Sequence, residues 1–143
     1  MEIIVGGLIE KDGKFLLVQE AKKKCYGKWN IPAGHLDNNE TIFEGAIREV
    51  FEETGFEIEI TGILQIGNKK FIDRKFVLMI FSSAIISGEI SYDKSEILDV
   101  KWFTYEEILN MKDNLRDPVL IVNAVKAYID NKIVSLDLIE IMD

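Results

Sequence analysis

The chain has one cysteine, Cys25, one histidine, His35, and two prolines, and each scarcity removes a class of answer. A lone thiol cannot close a disulfide within the chain, which excludes the small secreted scaffolds that depend on such staples. One thiol and one imidazole cannot furnish the soft, nitrogen-rich cage that zinc prefers. No apolar run approaches the roughly 18 residues needed to span a bilayer. The opening MEIIVGGLIEKDGK also lacks the basic start and cleavage site of a secretory leader. A reducing cytoplasm without membrane association is therefore expected.

Positive charge is short as well. Lysine and arginine number 17 against 25 acids, a net charge of −8, which argues against a surface for polymeric DNA or RNA. A small anion escorted by divalent cations remains compatible. With 48% hydrophobic and 29% charged residues, the composition is that of a folded chain, and 143 residues are most simply one domain, 1–143.

What the chain does have is acid, concentrated in residues 34–56, GHLDNNETIFEGAIREVFEETGF. Glu49, Glu52 and Glu53 stand at i, i+3 and i+4, so a helix brings them onto one face within a turn. Like charges at that spacing cost about a few tenths of a kcal/mol per pair, and a cation is expected between them. Thr41 with Glu44 has the spacing of a capping box. Ile42, Phe43, Ala46, Ile47, Val50 and Phe51 form an apolar stripe for burial, and Gly55 suits the left-handed turn that ends helices. The acids are expected to point away from that stripe on a fixed frame. Hard Mg²⁺, or Mn²⁺ in its place, suits carboxylates and fills its octahedron with water and substrate phosphate. The expected substrate is thus a small phosphate compound.

Gly34, five residues, Glu40, seven residues and then Arg48-Glu49-Val50-Phe51-Glu52-Glu53-Thr54-Gly55-Phe56 reproduce a known pattern without a gap. It resembles the signature of the Nudix (MutT-type) hydrolases, G-x5-E-x7-R-E-U-x-E-E-x-G-U, where U is a bulky apolar residue. The resemblance implies an α/β protein of the Nudix fold, an α/β/α sandwich around a mixed sheet. It implies Glu52 and Glu53 as core metal ligands, Glu49 as ligand and candidate base, and the Gly34 carbonyl as completing the shell. Arg48 resembles the arginine that orients a signature glutamate through a bidentate pair, and Glu40 resembles its loop-stabilising partner. Glu96, just before a strand ending in Trp102, resembles the further carboxylate that many such enzymes present from a loop; the plainer reading is a surface acid.

The wider stretches WNIPAGHLDNNET, EEIL and NLRDP resemble the NudJ-type branch of bacterial Nudix phosphatases. The implied activity is Mg²⁺-dependent hydrolysis, by water attack on phosphorus, of a nucleoside diphosphate linked to another moiety. Nucleoside tri- and diphosphates come first, with thiamine-pathway pyrophosphates beside them. One alternative is a house-cleaning pyrophosphatase for oxidised nucleoside triphosphates; another, of a different class, is a non-catalytic nucleotide-sensing module. On this resemblance Arg116 is a phosphate contact, and otherwise a loop cation. A monomer or a homodimer is expected.

The remaining chain reads as supporting structure. Residues 2–9 and 14–19 flank Asp12-Gly13 and predict a hairpin. Lys22-Lys23-Lys24 is either a solvated charge run or a guide for phosphates. Trp29 is a packing residue or a base-stacking platform, and His35 suits loop hydrogen bonding better than acid–base work. Strands are expected over 57–67 and 71–86, with Asn68-Lys69-Lys70 as the turn. Arg74, near that turn, is a phosphate grip or an exposed strand-end cation. Thr104 with Glu107 caps a short helix to about Asn110, and Asp117-Pro118 opens a last helix whose apolar positions include Val119, Leu120, Val122, Val125 and Ile129.

Overall fold

In the computed structural model, which describes residues 1–142, β1 (Glu2–Lys11) and β2 (Lys14–Glu20) form the expected hairpin. Asp12 and Gly13 both take positive φ, 52° and 79°, the conformation an Asp-Gly hairpin turn requires. β1 then runs through the middle of a seven-stranded mixed sheet. It pairs antiparallel with β4 (Ala33–His35) and parallel with β6 (Lys75–Gly88), and β5 (Phe56–Lys70) completes that side as the antiparallel neighbour of β6. β2 carries the other side, pairing with β3 (Trp29–Asn30) and β7 (Ile97–Thr104).

Successive residues of a strand point to opposite faces, and here adjacent residues enter different cores. Ile63 and Phe81 pack with Ala46 of α1 (Ile42–Thr54), whereas Leu64 and Ile80 pack with Ile108 of α2 (Tyr105–Leu109) and Ile121 of α3 (Pro118–Ile129). Helices therefore cover both faces, and the α/β/α sandwich is observed. The caps are as expected: capping boxes at Thr41 and Thr104, Asp117 accepting from Leu120 N, and Gly55 closing α1 at φ 85°.

Three expectations need correction. The turn between β5 and β6 falls at 71–74, where Phe71 N donates to the Arg74 carbonyl, and not at Asn68-Lys69-Lys70. Those three residues continue the strand, opposite Val77, Phe76 and Lys75, and Asn68 Nδ2 donates to the Phe76 carbonyl. In α3, Val119 is 72% and Ile129 49% exposed, and the buried side is Ile121, Ala124 and Val125. In α1, Ile47 and Phe51 are exposed, while Gly45, Ala46, Val50, Glu53 and Thr54 are buried.

A Cβ at Gly45 would run into the Leu36 and Glu40 side chains of the preceding loop and press on Val5 of β1, so α1 lies close against both there. The buried stripe is narrower than expected and centres on Ala46 and Val50. Glu53 is buried along with that stripe instead of pointing away.

Candidate active site

The pairing of β4 with β1 sets Gly34 opposite Val5, directly beneath α1. A Cβ at Gly34 would overlap the Glu49 carboxylate, so glycine is what lets the backbone approach that acid. One residue earlier, Ala33 N donates to Glu53 Oε1 at 3.1 Å. Strand β4 thus offers its backbone to two of the helix acids.

Arg48 binds the site into one piece. Its Nε and Nη2 donate to Glu40 Oε2 and Oε1 at 2.9 and 2.6 Å, a bidentate pair. Nη1 donates to Glu49 Oε1 at 2.8 Å and to Glu52 Oε2 at 3.2 Å, and Nη2 also reaches the His35 carbonyl at 3.1 Å. The cation between Glu49 and Glu52 is therefore the neighbouring guanidinium. The fork itself grips Glu40, with single bonds to the two helix acids.

Charge follows this geometry. Hydrogen bonds from Arg48 hold the Glu40 carboxyl down at about 2. Burial pushes Glu49 above the usual carboxylate range, against the pull of Arg48. Burial, with the charges of Glu20 and Glu49 nearby, pushes Glu53 well above it. Acids so placed favour protonation or a cation.

Glu49, Glu52, Glu53 and Glu96 line one cleft of about 430 Å³ with Lys22, Asp93 and Ile97. The 89–96 loop is fixed against the helix and β2: Ser91 N donates to the Thr54 carbonyl, and Ala21 N to the Glu96 carbonyl. Among the described residues the acids are not drawn into one chelating cage, because Glu49 and Glu52 turn to Arg48 and Glu53 to Ala33. Still, Glu49 Oε2, Glu52 Oε1 and Glu53 Oε2 receive no hydrogen bond from described residues and share the cleft. An all-oxygen set with free lone pairs over a glycine backbone fits a hard divalent cation.

The other sequence candidates lie elsewhere. Trp29, 9% exposed, packs edge-on against Phe103 at 4.9 Å between ring centroids, which is the packing role. Arg74 stands at the β5–β6 turn, 3.9 Å from Glu2 and over the Phe71 ring. Arg116 Nη1 contacts Cys25 Sγ at 3.0 Å and Glu20 Oε2 at 3.4 Å. None of the three lines the acidic cleft. His35 Nε2 meets Glu2 Oε1 at 2.7 Å, a loop hydrogen bond.

Sequence reasoning passed over Glu20. It is 4% exposed, accepts a hydrogen bond from Cys25 Sγ at 3.1 Å, and its charge bears on Glu53. A signal was present: Glu20 ends β2 two and four residues after Val18 and Leu16, so strand alternation puts it on their buried face.

The NUDIX domain family pattern matches residues 2–122. Phosphatase NudJ of Escherichia coli K12 is 32% identical over 142 residues, covering 96% of this chain and 89% of that protein. Putative nudix hydrolase 1 of Caenorhabditis elegans is 32% identical over 120 residues, 82% of this chain, and the chain spans 32% of that relative's length. A NUDIX hydrolase structure from Nitrosomonas europaea superposes with a TM-score of 0.88 at 28% identity, covering 99% of this chain and 97% of that one. A UDP-X diphosphatase structure shares the fold, with a TM-score of 0.76 at 20% identity over 91% of this chain and 64% of that one. With the unbroken Gly34–Phe56 pattern on a β4–α1 frame, these matches establish that the chain belongs to the Nudix hydrolase family, whose members cleave phosphoanhydride bonds.

Proposed function

We propose that residues 1–143 form a single-domain, Mg²⁺-dependent hydrolase of nucleoside tri- and diphosphates and of thiamine-type pyrophosphates, releasing orthophosphate. The observation that carries this reading is the sharing of one cleft by Glu49, Glu52, Glu53 and Glu96, with Arg48 fixing two of them. Glu49, Glu52, Glu53, Glu96 and the Gly34 carbonyl would hold Mg²⁺, or Mn²⁺ in its place. When bound, the ion supplies charge neutralisation on phosphate oxygens and a lowered pKa for coordinated water.

The chain's own groups do the rest. Glu49 has Oε1 fixed by Arg48 and Oε2 facing the cleft, which suits it to take the proton of the attacking water. Water oxygen bonds to phosphorus, the bridging P–O bond breaks, and the leaving phosphate carries away that electron pair. Lys22 on the cleft wall offers a positive charge to the incoming anion. Orthophosphate as product is supported by the NudJ relative, which is named a phosphatase. The chain is assigned to the cytoplasm, as a monomer or homodimer, with small phosphate compounds and no nucleic acid polymer as partners.

The test is a screen of nucleoside di- and triphosphates, dinucleoside polyphosphates, sugar nucleotides and thiamine diphosphate with Mg²⁺. Orthophosphate is read with and without added inorganic pyrophosphatase. Colour without the helper enzyme is expected; colour only with it would replace this reading by the pyrophosphatase one.

A further inference from the structure

Glu20 does not line the acidic cleft, but the residues that follow it reach the cleft at once. Ala21 N donates to the Glu96 carbonyl at 3.1 Å, and Lys22 stands on the cleft wall. Leu16 and Val18, on the same face of β2 as Glu20, share a core with Val50 of α1, which lies one turn before Glu53 on the buried side of that helix. The charge of Glu20 bears on Glu53 more strongly than that of Glu49 does.

A carboxylate only 4% exposed is costly as an anion unless partners compensate it. Glu20 has partners on one oxygen. Oε2 accepts from Cys25 Sγ at 3.1 Å and from Arg116 Nη1 at 3.4 Å, and Nη1 also donates to Sγ at 3.0 Å. Burial pushes the Cys25 thiol up, with the Glu20 hydrogen bond adding to the effect, so the thiol stays protonated and goes on donating. Arg116 is held in turn, because its backbone N donates to the Trp29 carbonyl at 2.8 Å. Glu20 Oε1 and Glu53 Oε2 receive no hydrogen bond from described residues. Two buried acids and one guanidinium leave an excess of negative charge in a poorly solvated region, and a divalent cation in the cleft relieves it.

We propose that Glu20 is a positioning residue for the cation: it stands behind Glu53 without touching metal or substrate, and strengthens the hold of the cleft on a divalent ion, while Arg116 limits that effect. The inference rests on the ligand set proposed above. It gives Arg116 a task other than phosphate contact, since the guanidinium acts through Glu20. If the pair only held the fold together, breaking it from either side would loosen the cleft. An electrostatic role makes the two sides act in opposite directions.

The test titrates Mn²⁺ alone into the protein, without substrate, and reads the free ion by electron paramagnetic resonance. Affinity comes from the shape of the curve, so unfolded protein changes the stoichiometry and not the Kd. Glu20→Gln keeps the shape and removes the charge, and Mn²⁺ affinity is expected to fall about fivefold. Arg116→Met removes the opposing charge from a side chain 40% exposed, and affinity is expected to rise about threefold. Should Glu20→Gln fail to fold, Arg116→Met carries the test by itself. A folded Glu20→Gln at wild-type affinity, or Arg116→Met at or below it, would overturn the role of Glu20. Glu53→Gln is the reference: Mn²⁺ binding lost in it but unmoved by the other two variants would overturn the role of Glu20 alone. Binding that Glu53→Gln leaves unchanged would overturn the ligand set, and the inference with it.

Discussion

Arg48 and Glu40, eight residues apart in sequence, are joined by two hydrogen bonds of 2.9 and 2.6 Å. Glu40 Oε1 also accepts from Asp37 N at 2.9 Å, and Arg48 Nη2 donates to the His35 carbonyl. The loop from His35 to Glu40 and the middle of α1 are thus one rigid piece. Arg48 is the hub from which Glu49 and Glu52 are also set.

Arg48→Lys should show what that hub is worth. Lysine keeps the charge but lacks the planar fork, so the two bonds to Glu40 cannot both be replaced. A loss of about 1–3 kcal/mol in urea unfolding is expected, in the range for charged hydrogen bonds removed from a partly buried site. A variant as stable as wild type would mean that the fork geometry is incidental.

Glu52→Gln separates chemistry from folding. The Glu52 side chain is 55% exposed and bonded only to Arg48, so its loss removes no packing. Turnover with Mg²⁺ is expected to fall by orders of magnitude, with the thermal midpoint nearly unchanged. Near-normal rates at saturating Mg²⁺ would remove Glu52 from the proposed ligand set.

Gly34→Ala tests the close approach of β4 to α1. The added methyl meets the end of the Glu49 side chain, a flexible group, so the fold survives and the carboxylate is displaced. On the proposed role of Glu49, such a displacement costs on the order of 100-fold. Steady-state kinetics beside a circular dichroism melt should show kcat/KM falling while the melt barely moves; equal kinetics would show that Glu49 works without this alignment.

Glu40 predicts a pH window. Arg48 holds its folded-state carboxyl at about 2 against an ordinary 4.5. A lowered folded-state value means a stabilisation fully present above about pH 4.5 and lost as pH falls toward about 2. Urea unfolding of wild type and Glu40→Gln across that range should show a stability gap at neutral pH that closes on acidification. A gap independent of pH would remove the carboxylate–guanidinium pair as its source.

Much of this was legible in the sequence because it depends on local rules. The Asp12-Gly13 turn, the Thr41 and Thr104 caps and the Gly55 stop each follow from a few neighbouring residues, and the structure has all of them. What the sequence hid was set by packing at a distance. The face of α1 that packs down carries Gly45, Ala46, Val50, Glu53 and Thr54, so Ile47 and Phe51, apolar and next to it, were left outside and Glu53 was taken in. The Asn68-Lys69-Lys70 run looked like a turn because it is polar, yet an exposed hairpin arm keeps its pairing with polar residues. Glu20 escaped notice because it is an acid, although alternation places it on the same face as buried Leu16 and Val18.

The central strand β1 has its parallel partner in β6, from Glu2 against Phe76 to Ile9 against Ser83. On a ribosome delivering the chain from its amino end, the strand that supports Gly34 therefore waits for a neighbour made some seventy residues later. The signature glutamates emerge in between, on a helix with half its floor missing. The floor beneath α1, made by β1, β4 and β5, therefore depends on residues far along the chain from the motif that it supports.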